Sequence, residues 1–115
     1  MTRPPAFRVL TNESDSTVEI AIQGELDLAT APQLEAEFER VGALDGIEVV
    51  VVDLRELAFL DSTGLEAIVK FDARSRADGV ELAAEVVEDE LGDAAALAGR
   101  LRHAAAHVRE SFLSS

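Results

Sequence analysis

Val18, Ile20 and Ile22 alternate with Glu19, Ala21 and Gln23. This two-residue repeat marks a strand with one face in a core. Phe7–Thr11 forms a shorter strand-like run ahead of it, and Asn12-Glu-Ser-Asp-Ser16 between them is a turn cluster, so residues 7–23 are predicted to form a hairpin. The period then changes. Leu34, Phe38 and Val41 fall at i, i+4 and i+7, the single apolar stripe of a surface helix. Thr30 and Gln33 have the spacing of a capping box, and Pro32 suits the first turn, where its missing N–H costs nothing. Gly42 or Gly46 is expected to end this helix.

Ile47–Leu54 loses all alternation and is rich in β-branched residues, which predicts a central strand of a parallel arrangement. Arg55–Leu60 reads as a loop. Asp61-Ser-Thr-Gly64 opens a second helix, with Leu65, Ile68 and Val69 as its expected stripe and Gly79 just past its end. Val80–Val87 is a further strand, diluted by Ala83 and Ala84, and Asp93–Phe112 reads as a long helix. The order β-β-α-β-α-β-α predicts one α/β domain over residues 1–115: a mixed sheet of four to five strands, helices packed on it, and a long C-terminal helix. Residues 1–6, with Pro4-Pro5, are expected to fray, and no linker or repeat divides the chain.

Length fits this picture, because 115 residues suffice for one core without covalent staples. The absence of cysteine removes a disulfide framework, a thiolate metal site and a cysteine nucleophile. The longest purely large-apolar run is Val49–Val52, far short of the roughly 20 residues of a membrane span. The N-terminus also lacks the apolar core of a signal peptide, so a cytoplasmic protein without membrane insertion is expected. Ten basic against 23 acidic residues give a formal charge of −13. Such a surface repels nucleic acid and anionic lipid, and it either keeps the protein soluble or complements a basic partner. With no Trp or Tyr and five Phe, the chain also offers no base-stacking surface.

Few constellations suggest catalysis. His103 and His107 have a metal-ligand spacing, yet both fall opposite the Leu97/Leu101/Val108 stripe and lack a third ligand, so solvated surface histidines are expected and no metal site. Asp27, Asp53 and Asp61 are carboxylates near strand ends, where α/β folds place their sites. Paired with Mg²⁺ they could serve a small nucleotide-binding or hydrolysing protein, but no histidine, lysine or phosphate-cradling glycine loop accompanies them. Taken alone, Asp61-Ser62-Thr63-Gly64 is an ordinary helix cap, with Thr63 and Glu66 at capping-box spacing.

The wider pattern is more specific. Gly24-Glu-Leu-Asp-Leu-Ala-Thr-Ala-Pro32, then Val50-Val-Val-Asp-Leu54, then Phe59-Leu-Asp-Ser-Thr-Gly-Leu65, in that order, resembles the STAS domain of the bacterial anti-sigma-factor antagonists. The resemblance covers roughly residues 7–80. It implies that Ser62, next to the motif aspartate, is phosphorylated by a cognate anti-sigma factor that is also a serine kinase. It further implies that the unphosphorylated form binds that factor and releases the sigma factor, and that a PP2C-type phosphatase resets the switch. Asp61 matches the motif aspartate, Thr63 and Gly64 complete the helix start, and Asp27 falls on the loop near the phosphosite. The implied protein is a binding module, not an enzyme, and needs no cofactor. The same domain also serves as an adaptor subunit of lipid-transport or stress-signalling complexes without control at this serine, which is the alternative reading.

The switch has a physical rationale. A helix N-terminus offers free N–H groups and the positive end of the macrodipole, so a phosphoserine at Ser62 is tolerated without unfolding. It adds about −1.5 to −2 charges beside Asp61. A partner surface fitted to a neutral hydroxyl then meets an unpaired dianion, which costs binding. Residues 88–115 depart from the family pattern, being Ala-rich and without the usual Gly-Leu, so this segment is expected to be a divergent helical one.

Overall fold

The computed structural model describes residues 6–85. The predicted C-terminal helix, with His103 and His107, lies outside the described residues. Within them the order is β1 (Arg8–Ser14), β2 (Thr17–Leu26), α1 (Ala31–Gly42), β3 (Val49–Asp53), β4 (Leu57–Leu60), α2 (Ser62–Ala77) and β5 (Glu81–Glu85).

The hairpin forms as its alternation predicts, with β1 and β2 antiparallel and Ser14 opposite Thr17. Asp15 takes a positive φ of 54° in the two-residue connection, a conformation Asp tolerates better than most side chains. β3 lies parallel to β2 on one side and to β5 on the other, giving the sheet order β1-β2-β3-β5. This is the mixed sheet of the sequence reading. Val18, Ile20, Ile22 and Leu26 of β2, Val50 and Val52 of β3, and Leu82 and Ala84 of β5 are all buried. The strand register puts Val18, Val50 and Leu82 in one row, and Ile20, Val52 and Ala84 in the next.

Leu34, Phe38 and Val41 of α1 are buried as their spacing predicts, and they share one core cluster with these rows and with Ile68 and Phe71 of α2. The Phe38 and Phe71 rings stack with centroids 4.0 Å apart and planes within 3°, joining the two helices. Burying one such aliphatic or aromatic side chain contributes about 1.5–3 kcal/mol, so this layer is the main source of stability.

Three local expectations differ from the structure. Leu57–Leu60 is a strand, not a loop: β4 runs parallel to the far end of β2, with Glu25 opposite Phe59 and Leu26 opposite Leu60. Short and without alternation, it is held by tertiary pairing with β2. Gly24 makes the handover possible, since the register shifts between Gly24 and Glu25 and Gly24 has a φ of 91°.

The capping box at Thr30 and Gln33 does not form, because Thr30 has helical backbone angles and makes no side-chain cap bond. The stripe of α2 is also rotated. Its buried positions are Gly64, Ala67, Ile68, Phe71 and Ser75, while Leu65 is half-buried and Val69 is 40% exposed. Small residues pack inward beside Ile68 and Phe71, while Val69 is left outward.

Candidate functional site

α2 begins where β4 ends, and one carboxylate organises that junction. Asp61 has extended backbone angles and caps the helix, its Oδ1 accepting from the Gly64 N–H at 2.9 Å. This leaves the Thr63/Glu66 capping box without a role, since Asp61 holds the cap position. The other oxygen, Oδ2, accepts from the Leu28 N–H at 3.2 Å, across 33 residues of sequence. The Asp61 N–H itself donates to the Leu26 carbonyl at 3.1 Å. The same aspartate therefore starts α2 and ties it to the loop between β2 and α1.

That loop is a compact turn. Asp27 Oδ1 accepts from the N–H groups of Ala29 at 2.9 Å and Thr30 at 3.1 Å. Thr30 Oγ1 accepts from the Asp27 N–H at 2.9 Å and donates to the Glu25 carbonyl at 2.8 Å. Asp27 and Thr30 thus spend their side chains on their own turn, an Asx-type arrangement. Asp27 reaches the α2 junction through its neighbour Leu28, whose N–H bonds Asp61.

Ser62 is the first residue of α2 and is exposed. Among the described residues its hydroxyl has no hydrogen-bond partner. Thr63 is half-buried. Ser75, farther along the same helix, is only 5% exposed, which closes it to a modifying enzyme. Gly64 sets how closely the helix approaches the sheet: a Cβ there would lie 2.5 Å from Leu26 Cγ and 3.0 Å from Leu60 Cδ1. The glycine lets the Ser62 end of α2 rest directly on β2 and β4.

Large apolar side chains also stand open on this part of the molecule. Leu65 and Val69 follow Ser62 at i+3 and i+7, on one side of α2. Leu28 is 73% exposed on the turn tied to Asp61. The helical spacing predicts Leu65 and Val69 in the core, and nothing in the sequence pattern singles out Leu28. The small residues at 64, 67 and 75 were the available sign that another face of α2 packs inward.

Asp53, the other candidate carboxylate, is engaged elsewhere. Its Oδ1 accepts from the Arg55 backbone N–H at 3.0 Å and from Nε at 2.9 Å, and its Oδ2 accepts from Nη2 at 2.9 Å. The bidentate Arg55 guanidinium holds the Asp53 carboxyl below the usual carboxylate range, against the opposing push of partial burial. Arg55 also reaches Glu85 at 3.1 Å, joining the ends of β3 and β5. With Asp53 bound to Arg55 and Asp61 to two backbone N–H groups, neither carboxylate is free to open a Mg²⁺ site without breaking local structure. Among the described residues no group of three or more His, Asp or Glu is arranged to hold a metal. No helix among them is long and apolar enough to cross a membrane.

Comparison with known proteins agrees with this architecture. The sequence profile of the STAS domain matches residues 8–110. The chain is 38% identical over 52 residues to the anti-sigma-B factor antagonist of Listeria monocytogenes, a match spanning 45% of each protein. Less than half of that relative's length is therefore covered. Among solved structures, an anti-sigma factor antagonist from Mycobacterium paratuberculosis is similar with a TM-score of 0.70 at 23% identity, over 95% of this chain and 99% of that one. The unphosphorylated form of SpoIIAA is similar with a TM-score of 0.58 at 22% identity, over 69% of this chain and 71% of that one. The phosphorylated form of that Bacillus protein gives 0.57 at 22% identity, over 68% and 69%. At these identities the structural likeness speaks for the fold, and the profile match for descent. The chain belongs to the STAS domain family.

Proposed function

We propose that this chain is an anti-sigma factor antagonist switched at Ser62. Unmodified, it binds an anti-sigma factor that is also an ATP-dependent serine kinase, and so frees the sigma factor. Phosphorylation of Ser62 ends the binding, and a PP2C-type phosphatase restores it. The whole chain acts as one STAS domain in the cytoplasm, without cofactor or turnover.

One observation carries this reading: a partner-free, exposed hydroxyl stands at the first residue of α2, on the helix side that carries the half-buried Leu65 and the exposed Val69, and next to Asp61, which holds the turn that exposes Leu28. A monomer gains nothing by leaving such side chains open, whereas a partner surface can bury them. The site tolerates the modification because the helix N-terminus offers free N–H groups to an anion. Asp61 stands beside it, Asp27 lies on the tied turn, and Thr63 and Gly64 continue the helix. A phosphate placed there changes the charge of the docking face and leaves the core untouched. The likeness to both the phosphorylated and the unphosphorylated SpoIIAA fits a switch that works without refolding.

The reading is tested by incubating the protein with ATP and, in turn, each purified kinase-fold anti-sigma factor of its source organism. One of them is expected to phosphorylate the wild type at Ser62, mapped by mass spectrometry, and to leave Ser62→Ala unmodified. Phosphate appearing elsewhere, or on neither protein, would reject Ser62 as the switch and favour the unphosphorylated adaptor role.

A further inference from the structure

Building on the function proposed above, we infer that Leu28 is the apolar anchor by which this face grips its partner, and that Asp61 is the positioning residue that presents it. Leu28 is more exposed, at 73%, than Phe59, Leu10 or Val69, the other large apolar side chains that stand open among the described residues. It does not sit on a loose loop. The Asp27 carboxylate and the Thr30 hydroxyl bond the backbone on both sides of it, and the Ala31 N–H closes the turn onto the Asp27 carbonyl at 2.8 Å. Its own N–H is held by Asp61 Oδ2 at 3.2 Å. A side chain whose backbone is already fixed loses only its own rotamer freedom on binding, so more of its burial appears as affinity.

The tie to Asp61 fixes where the anchor stands. Because the same carboxylate caps α2 through Gly64, the position of Leu28 is set relative to Ser62 and not merely relative to its own turn. The surroundings are acidic: Glu25 and Glu66 are exposed and Asp27 and Asp61 half-buried, in a chain of formal charge −13. The complementary surface on the kinase-fold partner is therefore a leucine-sized apolar pocket with lysine or arginine at its rim. The pocket supplies affinity, and the rim supplies orientation and a salt-dependent association rate.

The experiment is calorimetric titration of the full-length protein into the purified kinase-fold anti-sigma factors of its source organism, using wild type, Leu28→Ala, Asp61→Asn and the double variant. Asn replaces one of the two acceptor oxygens by an NH2 donor, so the N–H that faced that oxygen, of Gly64 or of Leu28, loses its acceptor. Leu28→Ala is expected to weaken binding by about tenfold or more, the scale of one buried leucine, with an unchanged Tm. Asp61→Asn is expected to weaken it as well, yet by less than about threefold when Leu28 is already alanine, because interacting residues are non-additive. Wild-type affinity retained by Leu28→Ala would overturn the anchor and leave the proposed function standing. Equal losses from Asp61→Asn in both backgrounds would overturn the positioning role. If the wild type bound none of these factors, the function itself would fall, and the anchor with it.

Discussion

The two helices of this domain obey opposite rules. α1 places Leu34, Phe38 and Val41 in the core and turns its glutamates and Arg40 outward, as an amphipathic helix should. α2 buries Gly64, Ala67 and Ser75 beside Ile68 and Phe71, and leaves the half-buried Leu65 and the exposed Val69 on the side of Ser62. α1 is built for its own domain. In α2, Gly64 instead lets the start of the helix lie close to β2 and β4, while Val69 is left in water. The contrast separates residues that hold the fold from residues available to a partner, and substitutions in the two helices should divide the same way.

The largest effect belongs to α1. Phe38→Ala removes a ring that is 4% exposed and stacked on Phe71, and is expected to destabilise the domain by about 3–5 kcal/mol in a urea titration. Such a loss approaches the total stability of a small domain, so a well-folded variant would mean that the two helices are not joined there.

Gly64→Ala comes next. Its methyl would press on Leu26 Cγ at 2.5 Å, and overpacking of this kind costs about 1–3 kcal/mol. NMR shift changes should concentrate at Ser62, Leu26 and Leu60, at the start of α2. Changes spread evenly over the domain would argue against a local role for the glycine. Asp61→Ala loses the cap and the tie to Leu28, and about 1 kcal/mol is expected for the cap alone.

Val69→Ser sharpens the comparison from the other side. With the side chain 40% exposed, stability should stay within about 0.5 kcal/mol of wild type while partner binding weakens. A substantially lower Tm would return Val69 to the core.

The smallest effect is pH-dependent. Because Arg55 lowers the Asp53 pKa in the folded state, this pair contributes stability that is present above the unfolded value, near 4, and is lost as pH falls through the lower folded value. Arg55→Gln should therefore lower stability slightly at neutral pH, flatten the acid limb of a stability–pH curve and converge on the wild type at low pH. The effect is modest because Arg55 lies open to solvent.

Legibility in the sequence follows the same division. The hairpin, α1 and β3 could be read because each carries its own period or its own run of β-branched residues. β4 could not, since Leu57–Leu60 has no pattern of its own and becomes a strand only by pairing with β2 beyond Gly24. The exposure of Val69 was hidden because periodicity weighs large apolar residues and discounts the small ones that pack beside Ile68 and Phe71. Thr30 was misassigned for a related reason: its hydroxyl has local acceptors in the Asp27 turn that compete with capping. Asp61 and Ser62 were legible as a cap and its first residue. The bond from Asp61 to Leu28 was not, because it spans 33 positions and exists only once β2 and β4 are paired.

The most direct test of the switch compares the protein carrying phosphate on Ser62 with the unmodified protein, each titrated into the kinase-fold anti-sigma factor that phosphorylates it. The phosphorylated protein is predicted to keep its Tm and its core NMR shifts, with changes confined to the start of α2 and the Asp27–Thr30 turn, and to lose at least about a hundredfold in affinity, as an unpaired buried charge implies. Equal affinity in the two states, or loss of binding only because the phosphorylated domain unfolds, would contradict a switch that acts at the surface of an intact fold.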